Sequence, residues 1–153
     1  MDGDGRIVSL QVCPARRTPM RPVNPAVFVR DGGIEGDCHG RPKSRRQVLL
    51  IEAETPDQLG IQPGDVKENV TTRGIDLMGL ARDTRLGLGD AVVLWLTGPC
   101  APCALMNDVR PGLEEELQGR RGVLAWVEAG GAVRVGDRVR VLAAGGPGGP
   151  ATA

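Results

Sequence analysis

Every apolar run in this chain is short, and most are soon followed by glycine, proline or a Gly-Asp pair. Arg6 to Cys13, Val27 to Arg30, Gln47 to Ile51, Thr84 to Leu88, Ala91 to Leu96, Val123 to Val127, Ala132 to Val135 and Arg138 to Leu142 each read as a strand. Turn signals stand between them at Gly32-Gly33, Gly89-Asp90, Gly130-Gly131 and Gly136-Asp137. Strands this short cannot bury a core singly and must share a sheet. A sheet of many short strands exposes edges, and closure into a barrel removes them. Two short helices interrupt the pattern. Thr55-Pro56-Asp57-Gln58 places Thr as N-cap and Pro at the first helical position, with Gly60 as the stop. Pro111 to Gln118 reads as the second, closed by Gly119. The expected fold class is mainly β with short helices (α+β), arranged as a barrel-like domain.

One domain is expected over residues 1–142, followed by a disordered Gly/Pro/Ala tail over 143–153. Pro14 to Pro25 is a basic, proline-rich loop in which regular pairing should be blocked. Gln47 to Ile51 is apolar without alternation, so both of its faces should be covered. The formal net charge is +0, which argues against a nucleic-acid or membrane partner. Phe28, Trp95 and Trp126 are the only aromatics, too few for a base-stacking platform. No apolar stretch reaches the length of a membrane span, and Met1-Asp2-Gly3-Asp4-Gly5 is unlike a signal peptide. A cytoplasmic protein with reduced thiols is the expectation.

Chemistry concentrates in three places. The first is Leu96-Thr97-Gly98-Pro99-Cys100-Ala101-Pro102-Cys103. The strand should stop at Gly98-Pro99 and present Cys103 on a stiff loop. A thioredoxin-type dithiol needs a βαβ entry that this pattern lacks. A structural zinc site drawn from Cys13, Cys38, His39, Cys100 and Cys103 lacks a second CxxC. A single functional thiolate at Cys103, with Cys100 a bystander, and an inert buried thiol both stay open. The second place is the polar loop Gly33 to Gly40 with the lone His39, followed by Arg41, Lys43, Arg45 and Arg46. That run is either a solvated face or an anion pocket for phosphate. The third is Pro63 to Gly74. Strand alternation there puts Lys67, Asn69 and Thr71 on one face and Glu68, Val70 and Thr72 on the other. Three hydrogen-bonding side chains could line a pocket, or blunt a solvated edge.

Taken in order, Gly33-Ile34-Glu35-Gly36-Asp37-Cys38-His39, Arg46 to Ile51, Gly64 to Ile75, Thr97 to Cys103 and Gly136-Asp137-Arg138-Val139 resemble the MOSC domain family. That family is named from the C-terminal domain of molybdenum cofactor sulfurase. The resemblance spans Arg6 to Val141 and implies a β-barrel-like fold that binds the molybdenum cofactor. It further implies an oxidoreductase reducing N-hydroxylated small molecules. Cys103 matches the cysteine that ligates molybdenum in relatives, and so stands as both catalytic and metal residue. Lys67, Asn69, Thr71, Arg46 and His39 match cofactor-binding positions, the last two at the phosphate side and in the polar loop. Cys100 falls where relatives vary and takes no role from them.

Two departures qualify the activity. Reductase relatives carry an extra β-rich subdomain or extension, and sulfurases carry a pyridoxal-phosphate domain; neither is encoded in these residues. No flavin or haem signature is visible, so an external electron donor protein would be required. Two alternatives remain. One is a sulfur carrier holding a persulfide on Cys103, loaded by a sulfur donor. The other is a non-catalytic ligand-binding module with an inert Cys103.

Overall fold

The structure, a computed structural model, describes residues 4–143. Residues 144–153, where the sequence predicts the tail, lie outside the described residues. In chain order the elements are β1 (Gly5–Val12), β2 (Arg21–Pro22), β3 (Ala26–Val29), β4 (Gly33–Ile34) and β5 (Val48–Glu52). Next come α1 (Glu54–Leu59), β6 (Val70–Arg73), β7 (Arg85–Leu88), β8 (Val92–Pro99), α2 (Met106–Val109) and α3 (Leu113–Glu116). The last are β9 (Val123–Ala129), β10 (Gly131–Val133) and β11 (Arg138–Ala143). Ala143, assigned to the tail by composition, is the last residue of β11 and pairs with Arg85.

Seven strands close a barrel in the order β11-β7-β8-β9-β5-β6-β1, and β1 returns to β11 through Gly5↔Val139 and Arg6↔Arg138. The Gly89-Asp90 hairpin forms as its sequence dictates, with Leu88 opposite Val92 and Leu86 opposite Leu94. Only β5 and β6 pair in parallel among the barrel neighbours. A parallel pair needs a crossover, and here residues 53–69, with α1, supply it. A second sheet, β10-β3-β4, is hydrogen-bonded separately.

Alternation fills the barrel. Ile7, Leu50, Val70, Leu86, Leu94, Ala125, Val127 and Val139 belong to one buried cluster. Trp95 is buried elsewhere on β8; its indole N–H donates to Asp83 at 2.9 Å, and the Arg85 guanidinium lies 4.4 Å over its ring. β5 is covered on both faces, as its unbroken apolar run predicts. Val48 and Leu50 enter the barrel core, while Ile51 packs with Ile61, Val66, Met106, Leu113 and Leu117 beneath the helices. Leu49 joins Cys100 and Leu124 in a third small cluster.

Four local expectations are corrected. α1 starts before Thr55: Ala53 is the N-cap residue, without a side-chain cap bond, and Thr55 and Pro56 are buried inside the helix. Gly60 does end it, at φ 71, with its N–H donating to the Pro56 carbonyl. Arg21 and Pro22 pair with Val12 and Gln11 despite the proline, which a two-residue edge strand tolerates. Gly98-Pro99 does not stop β8. Past an irregularity between Leu96 and Gly98, Gly98 pairs with Leu124 and Pro99 with Val123. The helix α2, just after Cys103, adds a third short helix to the two expected; buried Met106 anchors it.

Candidate functional site

The segment before β6 is a turn rather than a strand, and this reorganises the polar residues expected there. The Asp65 carboxylate accepts the Gln62 N–H at 2.8 Å, and the Lys67 N–H donates to the Gly64 carbonyl at 3.0 Å. Lys67 itself takes φ 67, in the left-handed region. Alternation therefore fails across Lys67, and Lys67, Asn69 and Thr71 do not share one strand face.

Asn69 becomes a three-way clamp. Its side-chain carbonyl accepts the Leu49 N–H at 3.0 Å, and its amide donates to the Gln11 carbonyl at 3.2 Å and to Asp37 Oδ1 at 3.1 Å. It ties β5, β1 and the His39 loop together. Thr71 sits behind the site and donates to Glu68 Oε2 at 3.0 Å. Lys67 Nζ donates to the Thr18 carbonyl at 2.8 Å.

Where β5, β8 and β9 meet these loops there is a cavity of about 110 Å³. Four of the expected residues line it: His39, Arg46, Lys67 and Asn69. Thr71 does not, and neither does Cys103, which is exposed on the loop beyond β8. The thiol on the cavity wall is Cys100, with Arg46 Nη2 4.0 Å from its Sγ. Leu49 and Leu124 complete the wall. A more open groove of about 270 Å³ shares His39 and Arg46 with it and adds Arg16 and Arg41.

His39 is held by Asp37, whose Oδ2 lies 3.1 Å from the His39 N–H and 3.2 Å from Nδ1. Burial alone would raise the Asp37 pKa. Hydrogen bonds from His39 and from the Cys13 N–H outweigh it and hold the carboxyl below the ordinary aspartate range.

The residue that sequence reasoning missed is Arg121. It lines the cavity, is only 5% exposed, and its Nε and Nη1 are buried without a partner. Burial draws its pKa down, while Cys100, Glu68 and Cys103 act in the opposite sense. Glu68 is fully buried. Its Oε2 accepts the Gly64 N–H at 2.9 Å as well as the Thr71 hydroxyl, while Oε1 has no partner. Burial pushes the Glu68 carboxyl above the ordinary range. A buried guanidinium with unpaired N–H groups carries a penalty of several kcal/mol unless something satisfies it. Three basic residues, Arg46, Lys67 and Arg121, therefore line one small space.

A signal for Arg121 exists in its neighbour. Gly122 adopts φ 119, and a Cβ there would collide with the Leu50 carbonyl. Only glycine lets the chain pass so close to β5, and that passage carries Arg121 inward. Among the described residues, no three His, Cys, Asp or Glu side chains converge as a metal cluster, so the five-residue zinc gathering is not realised. No helix among them is long and apolar enough to cross a membrane.

The profile of the MOSC domain family matches residues 37–140, a span that contains every cavity residue named above. Solved structures agree in fold. The YuaD protein of Bacillus subtilis superposes with a TM-score of 0.78 at 22% identity, covering 89% of this chain and 94% of that one. YiiM of Geobacillus stearothermophilus gives 0.72 at 18% identity, over 91% and 75%. YiiM of Escherichia coli gives 0.66 at 20% identity, over 90% and 70%. No curated protein sequence matches the chain.

Proposed function

The chain belongs to the MOSC domain family, which is associated with the molybdenum cofactor, and from that premise we propose that it binds this cofactor at the Arg46–Lys67–Arg121 cavity and works as an oxidoreductase on N-hydroxylated small molecules. The observation that carries the proposal is Arg121, a buried guanidinium with two unpaired N–H groups beside two further cations. Such an arrangement is costly when empty and favourable around a phosphate.

The residues fit the cofactor's anionic end. A cavity of about 110 Å³ encloses a phosphate-sized group, and the adjoining cationic groove offers space for a larger body. Arg121, Arg46 and Lys67 would hold the phosphate. His39, steadied by Asp37, would border the groove, and Asn69 would keep the wall rigid through its three bonds. Thr71 would act from behind by fixing Glu68. Cys103, as a thiolate, would be the metal ligand, and the cofactor would supply two-electron chemistry at its metal while the protein supplies position and charge. An external electron donor protein would reload the site.

One observation favours the sulfur-carrier alternative: Cys103 is exposed, so a donor enzyme and an acceptor could both reach it.

The test is metal and pterin analysis of protein made in cofactor-competent cells. Molybdenum and pterin should co-purify, molybdenum should fall in Cys103→Ala, and pterin should fall in Arg121→Met. Wild type without molybdenum, or both variants unchanged, would overturn the cofactor reading. A mass increase of one sulfur on Cys103 after treatment with a cysteine desulfurase would favour the carrier instead.

A further inference from the structure

The barrel carries a second concentration of guanidinium groups, remote from the cavity. β1 pairs with β11 on one side and β6 on the other, and in both registers Arg6 faces an arginine: Arg138 on β11 and Arg73 on β6. All three are exposed, while the neighbouring Ile7, Val139 and Thr72 are buried. Three guanidinium groups therefore stand abreast on the outside of three adjacent strands. Like charges opposed across a ladder weaken it. The outer two are neutralised, Arg138 by Asp4 and Arg73 by Asp57, each at 2.9 Å. Arg6, between them, has no ion pair or side-chain hydrogen bond among the described residues.

Arg6 and Arg138 line an open pocket of about 440 Å³ together with Arg134 and Arg140. Neither Arg134 nor Arg140 has a carboxylate partner among the described residues. Two carboxylates, Asp90 and Asp137, also line the pocket. Asp137 is already committed, its Oδ2 accepting the Arg134 backbone N–H at 2.9 Å. With Arg138 neutralised by Asp4, the three guanidinium groups of Arg6, Arg134 and Arg140 stand against Asp90 and Asp137 and leave a local positive charge in a chain whose formal net charge is +0.

The geometry points to a second anion site here, for a small molecule bearing a diphosphate or similarly paired anionic groups. The volume exceeds what one phosphate fills and lies in the range of small-molecule pockets. Planar arginine forks take phosphate oxygens in pairs. The site is distinct from the cavity. It is built at the turn that begins β8, whereas Cys100 follows the end of that eight-residue strand, ~25 Å away at the usual rise per residue. A ligand bound here would also relieve the Arg6–Arg138 opposition, and that pair forms part of the seam closing the barrel. The inference does not depend on the cofactor reading.

The experiment is calorimetric titration of the full chain with inorganic pyrophosphate, with orthophosphate as reference and thermal melting alongside. Pyrophosphate should bind saturably, at least tenfold tighter than orthophosphate, and raise the melting temperature. The double variant Arg6→Gln, Arg140→Gln should weaken binding at least tenfold while melting no lower than wild type without ligand. Should that variant misfold, Arg134→Gln, in the turn rather than the ladder, should weaken binding by a smaller factor. Arg30→Gln, an exposed arginine outside both anion sites, should leave pyrophosphate affinity intact. Absence of saturable binding, equal affinity for the two anions, or loss of binding in Arg121→Met rather than in the arginine-pocket variants would overturn the site.

Discussion

Glu68 and Arg121 face each other electrostatically inside the protein without a hydrogen bond joining them. Glu68 Oε1 and Arg121 Nε and Nη1 are all buried without partners, so the carboxyl and the guanidinium both leave polar atoms unspent. An ion pair that served stability alone would be expected to close that gap. On the proposed reading of the cavity, that unpaired guanidinium is what an incoming anion would meet.

Arg121→Met should therefore separate stability from binding. Removing a buried, unpaired guanidinium should leave the ligand-free protein unchanged or stabilise it by about 1–3 kcal/mol in urea unfolding at a pH where Glu68 can take up a proton. Phosphate affinity should fall at least tenfold. A variant destabilised by several kcal/mol with unchanged phosphate affinity would make Arg121 a structural residue.

The raised Glu68 carboxyl gives a defined pH signature. Its folded pKa lies above the unfolded value, so the folded state binds the extra proton. The associated stability is fully present below the ordinary glutamate range and is lost as pH rises through the folded pKa. Asp37, held below its ordinary value, works in the opposite direction, adding stability as pH rises through the acid range. Melting temperature measured from pH 4 upward should decline more shallowly in Glu68→Gln than in wild type. Parallel curves would show that Glu68 does not titrate in this window.

Asn69→Ala should be strongly destabilising although it deletes no charge. It removes an acceptor from the buried Leu49 N–H and donors from the Gln11 carbonyl and Asp37. Unmade buried hydrogen bonds of this kind cost roughly 2–4 kcal/mol together. Urea unfolding measures it, and a loss below about 0.5 kcal/mol would contradict the clamp.

Thiol labelling should distinguish the two cysteines at the site. In the native protein iodoacetamide should modify exposed Cys103 well before Cys100, which is 7% exposed. Peptide mass spectrometry resolves them. Equal rates would mean that the loop after β8 opens and that Cys100 is not sealed in the wall.

Much of the barrel was legible because its strands obey simple rules. The Gly89-Asp90 hairpin and the unbroken apolar run of β5 each state their own structure. The places that misled have local causes. Lys67 breaks alternation by adopting a positive φ that its side chain does not announce, so Asn69 turns into the structure instead of lining a strand face. Pro99 looked like a stop, yet an irregularity two residues earlier carries the pairing past it. Arg121 carries no signal of its own in the sequence, because what draws it inward is the close passage of Gly122 by Leu50, a long-range contact. Cys100 takes no role from the family resemblance, and only its packing with Leu49 and Leu124 places it on the wall.

The barrel shuts by laying β11 against β1 through two residue pairs near its ends. Strands that meet across nearly the whole described chain cannot pair until both have left the ribosome. The first strand must therefore wait, with one edge bare, while β5 to β9 assemble, and completion comes late in synthesis. Pairing with β6 covers the other edge of β1, so shielding the stretch that β11 will close, for example by chaperone contact, is a demand that this topology places on the cell making it.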